Sequence, residues 1–120
     1  MTRTLPRLAR RLRPVLEMTR IHVVADHNAI RWQARTYAEY RVFAALTRHN
    51  LTFRRARVLL RATEDRGSCD SVTCAVSVSL EPSGSIRVRV TGPHVFAAIN
   101  RAVERLGNVL YGRIEARRSS

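Results

Sequence analysis

Hydrophobic and polar residues alternate along three stretches in the middle of the chain, as they do in strands that bury one face. Within residues 53–63, Ala56, Val58, Leu60 and Ala62 would point to one face and Arg55, Arg57 and Arg61 to the other. Residues 72–80 and 86–90 alternate in the same way, and a turn-forming Glu81-Pro82-Ser83-Gly84 segment separates them. The pattern predicts an antiparallel meander of three strands.

Helical spacing dominates residues 92–118, after a Gly-Pro break. Apolar residues recur there at steps of three and four along one face, at Val95, Ile99, Ala102, Val103, Leu106, Leu110 and Ile114. Residues 30–49 also indicate a helix, but its apolar residues are spread nearly all the way round the helix axis. The pattern therefore does not show which face is buried. Residues 21–25 predict a short strand before that helix.

The order of these elements, β-α-β-β-β-α, predicts an α+β fold like that of double-stranded-RNA-binding domains. A helix between the first two strands fits a crossover between parallel neighbours, and short turns join the later strands. We expect a four-stranded mixed sheet with two helices packed on one face. The other face would present a row of arginines: Arg55, Arg57, Arg61, Arg87 and Arg89.

We expect a single domain over residues 21–118, preceded by a basic arm over residues 1–20. The arm is predicted to be mobile or only marginally ordered. Its arginine-rich, acid-poor sequence has three interpretations: an RNA-gripping arm, an organelle-targeting peptide, or sequence upstream of a true start at Met18.

Charge narrows the choice of partner. The chain has 22 basic residues, all arginine, against 9 acidic ones, for a formal net charge of +13. Guanidinium groups bind phosphate with two parallel hydrogen bonds and stack on bases. A polyanion is therefore the expected partner, with nucleic acid ahead of an anionic membrane surface or an acidic protein.

Catalytic and metal chemistry find little support in the sequence. Cys69 and Cys74 lack the second pair of ligands that zinc requires, and Cys74 falls on the core side of a predicted strand. The Glu64-Asp65 pair lies in a polar loop beside Arg66. We predict that the protein is not an enzyme and uses no cofactor, metal or small-molecule substrate. Without a secretory signal or an apolar run of membrane-spanning length, we expect a cytoplasmic location and no membrane contact.

Familiar RNA-binding modules fit poorly. RNP-type modules need base-stacking aromatic residues on their central strands, and the three long strands here supply only Phe53, at a strand end. The GxxG clamp of KH domains is missing, and residues 93–96 are not the lysine cluster of double-stranded-RNA-binding domains.

The element order and the segment VFAAINRAVERLGNVL resemble the bacterial ribosome hibernation factors, also called sigma-54 modulation proteins. That family includes hibernation-promoting factor and the ribosome-associated inhibitor. Its Gly-x-x-(Met/Val)-(Tyr/Phe)-x-Ala-Ile-(Asp/Asn) motif is matched by residues 92–100. The resemblance covers residues 21–118 and is to the short form of the family, since the sequence ends soon after the last predicted helix.

The resemblance implies a stress or stationary-phase translation inhibitor that binds the small ribosomal subunit and the 70S ribosome. It would occupy the mRNA and tRNA channel through 16S rRNA contacts. Matching the family's basic positions implies roles for Arg35 and Arg41 in the first helix and Arg105 in the last. Ala44, Asn108 and Gly112 stand where family members often carry a basic residue.

Arg41 and Arg48 are seven residues apart and share a face of the first predicted helix. Arg101, Arg113, Arg117 and Arg118 would supply the missing charge from shifted positions. The expected rRNA-binding set comprises Arg35, Arg41, Arg48, Arg101, Arg105, Arg113, Arg117 and Arg118. The alternative is a general RNA-binding protein or RNA chaperone that acts through the basic sheet face.

Overall fold

Alternating strands and two amphipathic helices form the elements that their patterns predict. In a computed structural model, which describes residues 20–25, 30–49, 52–63 and 71–119, the elements follow in a simple order. They are β1 (Ile21–Ala25), α1 (Trp32–Arg48), β2 (Phe53–Thr63), β3 (Ser71–Leu80), β4 (Ser85–Gly92) and α2 (Val95–Ser119). The predicted β-α-β-β-β-α fold is confirmed. The predicted arm, apart from Arg20, and the loop with Glu64, Asp65 and Cys69 lie outside the described residues.

The four strands form one sheet in the order β1-β2-β3-β4. β1 runs parallel to β2, with Val23 opposite Val58, and α1 makes the crossover between them. β2, β3 and β4 pair antiparallel as a meander. The predicted turn closes with a 2.9 Å hydrogen bond from the Leu80 amide to the Gly84 carbonyl, and Gly84 adopts a φ of 103° that favours glycine.

Both helices cover the same face of the sheet and enclose the core there. The inward strand residues are buried, among them Val58, Val76 and Val88. From α2, Ile99, Leu106 and Leu110 are fully buried against them, and each such side chain stabilises the fold by about 1.5–3 kcal/mol. Neither of the two described helices covers the opposite face of the sheet, and the polar side chains of the described strands are exposed or partly exposed there.

The buried face of α1 is built largely from small residues. Ala34, Ala38 and Ala45 face the core together with Val42 and Leu46. The larger Trp32 and Tyr40 are exposed, at 69% and 59%. Hydrophobicity alone could not assign this face, because the alanines that allow close packing are weakly apolar and the exposed aromatic rings are strongly apolar.

The chain passes from β4 into α2 without room for a side chain. A Cβ atom at Gly92 would lie 2.7 Å from the backbone nitrogen of Ala98. His94 then begins the helix, since its ring nitrogen Nδ1 accepts a hydrogen bond from the Ala97 amide at 3.2 Å. The end of β4 and the first turn of α2 are therefore in close backbone contact.

Candidate nucleic-acid interface

A groove of about 600 Å³ lies between α1 and α2 on the surface of the helix layer. The helices are held together at one end by Tyr37, whose hydroxyl donates to Oδ1 of Asn100 at 2.5 Å. The Tyr37 ring also meets Phe96 edge to face, with centroids 5.3 Å apart. These contacts set the spacing between the two helices at the end of the groove.

Small residues keep the rest of the groove open. Ala44 and Ala45 line it from α1, and Gly107 lines it from α2. A Cβ atom at Gly107 would only reach van der Waals contact with Nε2 of His49, at 4.0 Å. The facing helix surfaces do not interlock along their length, and the groove between them is wide enough for a ligand group.

Cations and hydrogen-bonding groups line this interhelical groove. Arg41 and Arg48 are seven residues apart, so they lie on the same side of α1, and both are exposed. Across from them, Asn100, Asn108 and Tyr111 project from α2. The guanidinium groups suit phosphate oxygens, the amides offer donors and acceptors, and the Tyr111 ring, 61% exposed, can stack on a base. Glu104 contributes one carboxylate to the lining.

A second group of arginines lies on the other flank of α2, beside β4. Arg101 donates to the Thr91 carbonyl at 2.9 Å, and Arg113 donates to the Ser85 carbonyl at 2.8 Å. Arg105 lies between them in sequence, is exposed, and makes no hydrogen bond or ion pair within the part of the chain that the structure describes. Since a guanidinium has five N–H donors, Arg101 and Arg113 keep donors for a ligand after binding the strand.

The expected rRNA-binding residues thus fall into separate places. Arg41 and Arg48 come together in the groove, whereas Arg105 lies about 120° around α2 from Tyr111 and faces away from it. Arg35 lies about 120° around α1 from Arg41, so it is also outside the groove. The backbone of Arg117 and Arg118 continues α2, and the described side chains end before them.

Sequence reasoning missed five polar residues that line the groove together with Arg41 and Arg48. They are His49, Asn100, Glu104, Asn108 and Tyr111. A signal for the α2 side was present, because Asn100, Glu104, Asn108 and Tyr111 recur at steps of four, four and three along one polar edge.

The open face of the sheet carries the arginines that the alternation predicts. Arg55, Arg57, Arg61, Arg87 and Arg89 are all exposed, and the residues next to them along the strands are buried or partly buried except Arg54, which precedes Arg55 and is exposed. At Arg54 the pairing of β2 with β3 is irregular, with a register shift between Phe53 and Arg55. The strands contain no aspartate or glutamate. This face is therefore a second cationic surface, on the side of the sheet opposite the helices.

The described residues add neither a reactive thiol nor a metal site to these surfaces. Burial raises the pKa of the Cys74 thiol to about 12, so the thiol stays protonated and unreactive at neutral pH. Among the described residues, no group of three or more His, Cys, Asp or Glu side chains is placed to hold a metal ion. None of the described helices is long and apolar enough to cross a membrane.

Comparison with known proteins gives a likeness of fold. No protein-family model and no curated protein matches the sequence. The structure is similar to that of a ribosomal subunit interface protein from Coxiella burnetii, with a TM-score of 0.60 and 11% sequence identity. The similarity covers 79% of this chain and 97% of the other. At this identity, the shared property is the arrangement of the four-stranded sheet and its two helices.

Proposed function

We propose that this protein is a ribosome-binding translation inhibitor that occupies the mRNA and tRNA path of the small subunit through contacts with 16S rRNA. The observation that carries the proposal is the interhelical groove, in which Arg41 and Arg48 face Asn100, Asn108 and Tyr111. The arginines can donate hydrogen bonds to a phosphate, the amides can bond to a sugar or base edge, and the exposed tyrosine ring can stack on a base. One groove of this size therefore offers a contact for each part of a single nucleotide.

The fold and the overall charge support the same proposal. The structural neighbour is named a ribosomal subunit interface protein, and the fold extends over nearly all of that neighbour. A net charge of +13 draws the protein to a large polyanion, and arginine is well suited to phosphate.

The proposed mechanism is occupancy without chemistry. The phosphate of an rRNA nucleotide accepts hydrogen bonds from Arg41 and Arg48, while the base of that nucleotide or of its neighbour stacks on Tyr111. Arg105 adds a charge on the outer flank of α2, and Arg101 and Arg113 brace that helix against β4 while offering their remaining donors. A protein held in this way excludes mRNA and tRNA because it fills their space.

Loss of the groove arginines tests this mechanism. Arg41→Gln/Arg48→Gln removes two charges from the groove, and we expect it to weaken binding to purified small subunits by about tenfold or more, since charge-assisted contacts to phosphate are lost. Fluorescence anisotropy of the labelled protein measures this affinity at fixed salt.

The matched control is Arg31→Gln/Arg54→Gln, which removes the same charge from two exposed residues outside the groove. We expect it to bind within about threefold of the wild-type protein, because the contacts that Arg54 loses, to the Pro82 carbonyl and Glu81, lie outside the groove and the other change is in the long-range charge. Equal losses in the two variants would contradict the groove as the binding site, and a wild-type protein that does not bind small subunits would contradict the function itself.

The second candidate function is a general RNA-binding protein or RNA chaperone, which the basic sheet face favours. Such a protein would bind naked RNA at least as well as small subunits. The proposed inhibitor should instead prefer the folded subunit, because only folded rRNA presents a fixed array of phosphates to both flanks of the helix layer.

A further inference from the structure

The open face of the sheet has the arrangement of a phosphate-binding trough. Arg57 and Arg87 stand on either side of the same β3 residue, since both are in register with Ser77. Two residues from Ser77 on one side, Ala75 is in register with Arg89 of β4, and two residues on the other side, Ser79 is in register with Arg55 of β2. Four arginines therefore flank a floor of small side chains on β3, and we name this surface the arginine trough.

Sheet geometry gives the dimensions of the arginine trough. Neighbouring strands lie about 4.8 Å apart, so the Cα atoms of Arg57 and Arg87 are separated by about 10 Å across β3. Successive residues on one face of a strand are about 6.8 Å apart, which is the spacing between Arg87 and Arg89. The long arginine side chains can extend over the small serine and alanine residues of β3. A phosphate backbone could therefore approach the sheet closely.

Structural pairing does not account for these charges. Exposed arginines on strands are commonly balanced by a carboxylate on the neighbouring strand, and none of the strands here contains one. Arg55, Arg57, Arg87 and Arg89 make no hydrogen bond or ion pair with any residue that the structure describes. The like charges repel one another across β3, and a bound polyanion would remove that repulsion. A second copy of the chain would increase it.

The scarcity of base-stacking rings on this face favours one kind of polyanion. Every Phe, Tyr and Trp residue of the chain lies on a helix except Phe53, which is buried on the core side, and the exposed His22, in register with Arg57, is the one imidazole on the described strands. Proteins that bind single strands stack successive bases mainly on Phe, Tyr and Trp rings, whereas this face offers only guanidinium planes and the His22 imidazole for stacking, so phosphate contacts would dominate binding here. A double helix presents a denser, already ordered row of phosphates and keeps its bases stacked internally.

We infer that the arginine trough binds the phosphate backbone of double-helical RNA, independently of the interhelical groove. The choice of RNA rests on the proposed function, in which rRNA is the partner. The duplex preference rests on the trough alone. With the groove on one side of the sheet and the trough on the other, the protein contacts two separate RNA segments.

Two variants of equal charge test this inference. Arg57→Gln/Arg87→Gln removes the pair that faces across Ser77, and Arg41→Gln/Arg48→Gln removes the groove pair. The probes are a blunt RNA duplex of about two helical turns and one of its strands alone, measured by fluorescence anisotropy. Wild-type protein should bind the duplex more tightly than the single strand.

The trough variant should lose about tenfold or more in duplex affinity, and its slope of log affinity against log salt should flatten by about two, because each phosphate contact contributes about 0.9. The groove variant should stay within about threefold of wild type. Equal losses in both variants, or a preference for the single strand, would overturn the inference.

Two further measurements keep folding and function separate. Arg57→Lys/Arg87→Lys keeps the charge, so it should retain most of the duplex affinity, and its loss of binding together with an intact thermal transition would also overturn the inference. Small-subunit binding by the groove variant reports on the proposed function. Duplex binding that persists while subunit binding fails would contradict the proposed function and leave the trough standing.

Discussion

Gly92 shows at the scale of one residue why the last helix begins where it does. The position belongs to a sequence motif, and the structure supplies its physical reason, since an added Cβ would lie 2.7 Å from the Ala98 nitrogen and 3.0 Å from its Cα. Both are backbone atoms, so neither can swing away as the end of a flexible side chain could. A side chain at this position must push α2 away from the end of β4.

We expect Gly92→Ala to lower the free energy of unfolding by about 1–3 kcal/mol, because the overlap forces a backbone shift. Urea unfolding followed by circular dichroism measures the change. Gly112→Ala is the matched control, because nothing lies within 4 Å of its added Cβ and the position is in the exposed part of α2. It should stabilise the protein by up to about 1 kcal/mol. Equal effects of the two substitutions would contradict the close approach at Gly92.

Individual residues of the groove were only partly predictable. Arg41 and Arg48 were identified from their charge and spacing, and the structure brings them together. Asn100 and Tyr111 were not predicted because an asparagine or a tyrosine on an exposed helix edge is common and gives no distinctive sequence signal. Whether such a residue lines a groove depends on which residues another helix places opposite it. The expected rRNA-binding role of Arg105 rested on resemblance and stays a prediction, and the residue lies outside the groove, on the other flank of α2.

At the scale of elements, the strands were the most predictable part of the fold. Their period of two, interrupted by a strong turn signal, fixed which face is buried, and the burial of Val58, Val76 and Val88 confirms it. The first helix was placed over residues 30–49 and is observed over Trp32–Arg48. The groove itself could not be predicted, because no single helix carries the information on how two helices distant in sequence approach each other.

Tyr37 links the two helices, and its hydroxyl tests how much that link contributes. Tyr37→Phe removes the hydrogen bond to Asn100 and keeps the ring contact with Phe96. We expect it to lower the free energy of unfolding by about 0.5–1.5 kcal/mol, the usual net value of one hydrogen bond. Chemical denaturation measures the change.

Tyr40→Phe is the control for that substitution, since Tyr40 lies on the same helix, is 59% exposed, and forms no hydrogen bond among the residues that the structure describes. Its stability should stay within about 0.5 kcal/mol of wild type. If Tyr37→Phe were as silent as the control, the Tyr37–Asn100 bond would not hold the helices together.

At the scale of the whole molecule, the cations are distributed over two sides of a thin scaffold. The helix layer carries the groove and the flank of α2, while the face of the sheet opposite the two described helices carries the arginine trough. The sheet face was predicted from alternation alone, because strand geometry dictates which side chains point to solvent. Its role in binding RNA stays a prediction, and what the structure adds is the register that sets Arg57 and Arg87 on either side of Ser77.

This two-sided distribution suits a protein that is inserted between RNA segments better than one that binds on a single surface. Electrostatic attraction then acts from both sides, and it depends on salt. If about six phosphates are neutralised, log affinity for the small subunit should fall with log salt at a slope of roughly −4 to −5.

Competition on the ribosome tests the central claim most directly. Labelled protein is titrated onto purified small subunits that are either vacant or loaded with mRNA and tRNA, at the same salt concentration. We predict tight binding to vacant subunits and loss of most of that binding on loaded ones, because the two occupants need the same space. Equal binding to vacant and loaded subunits would contradict the proposal that this protein fills the mRNA and tRNA path.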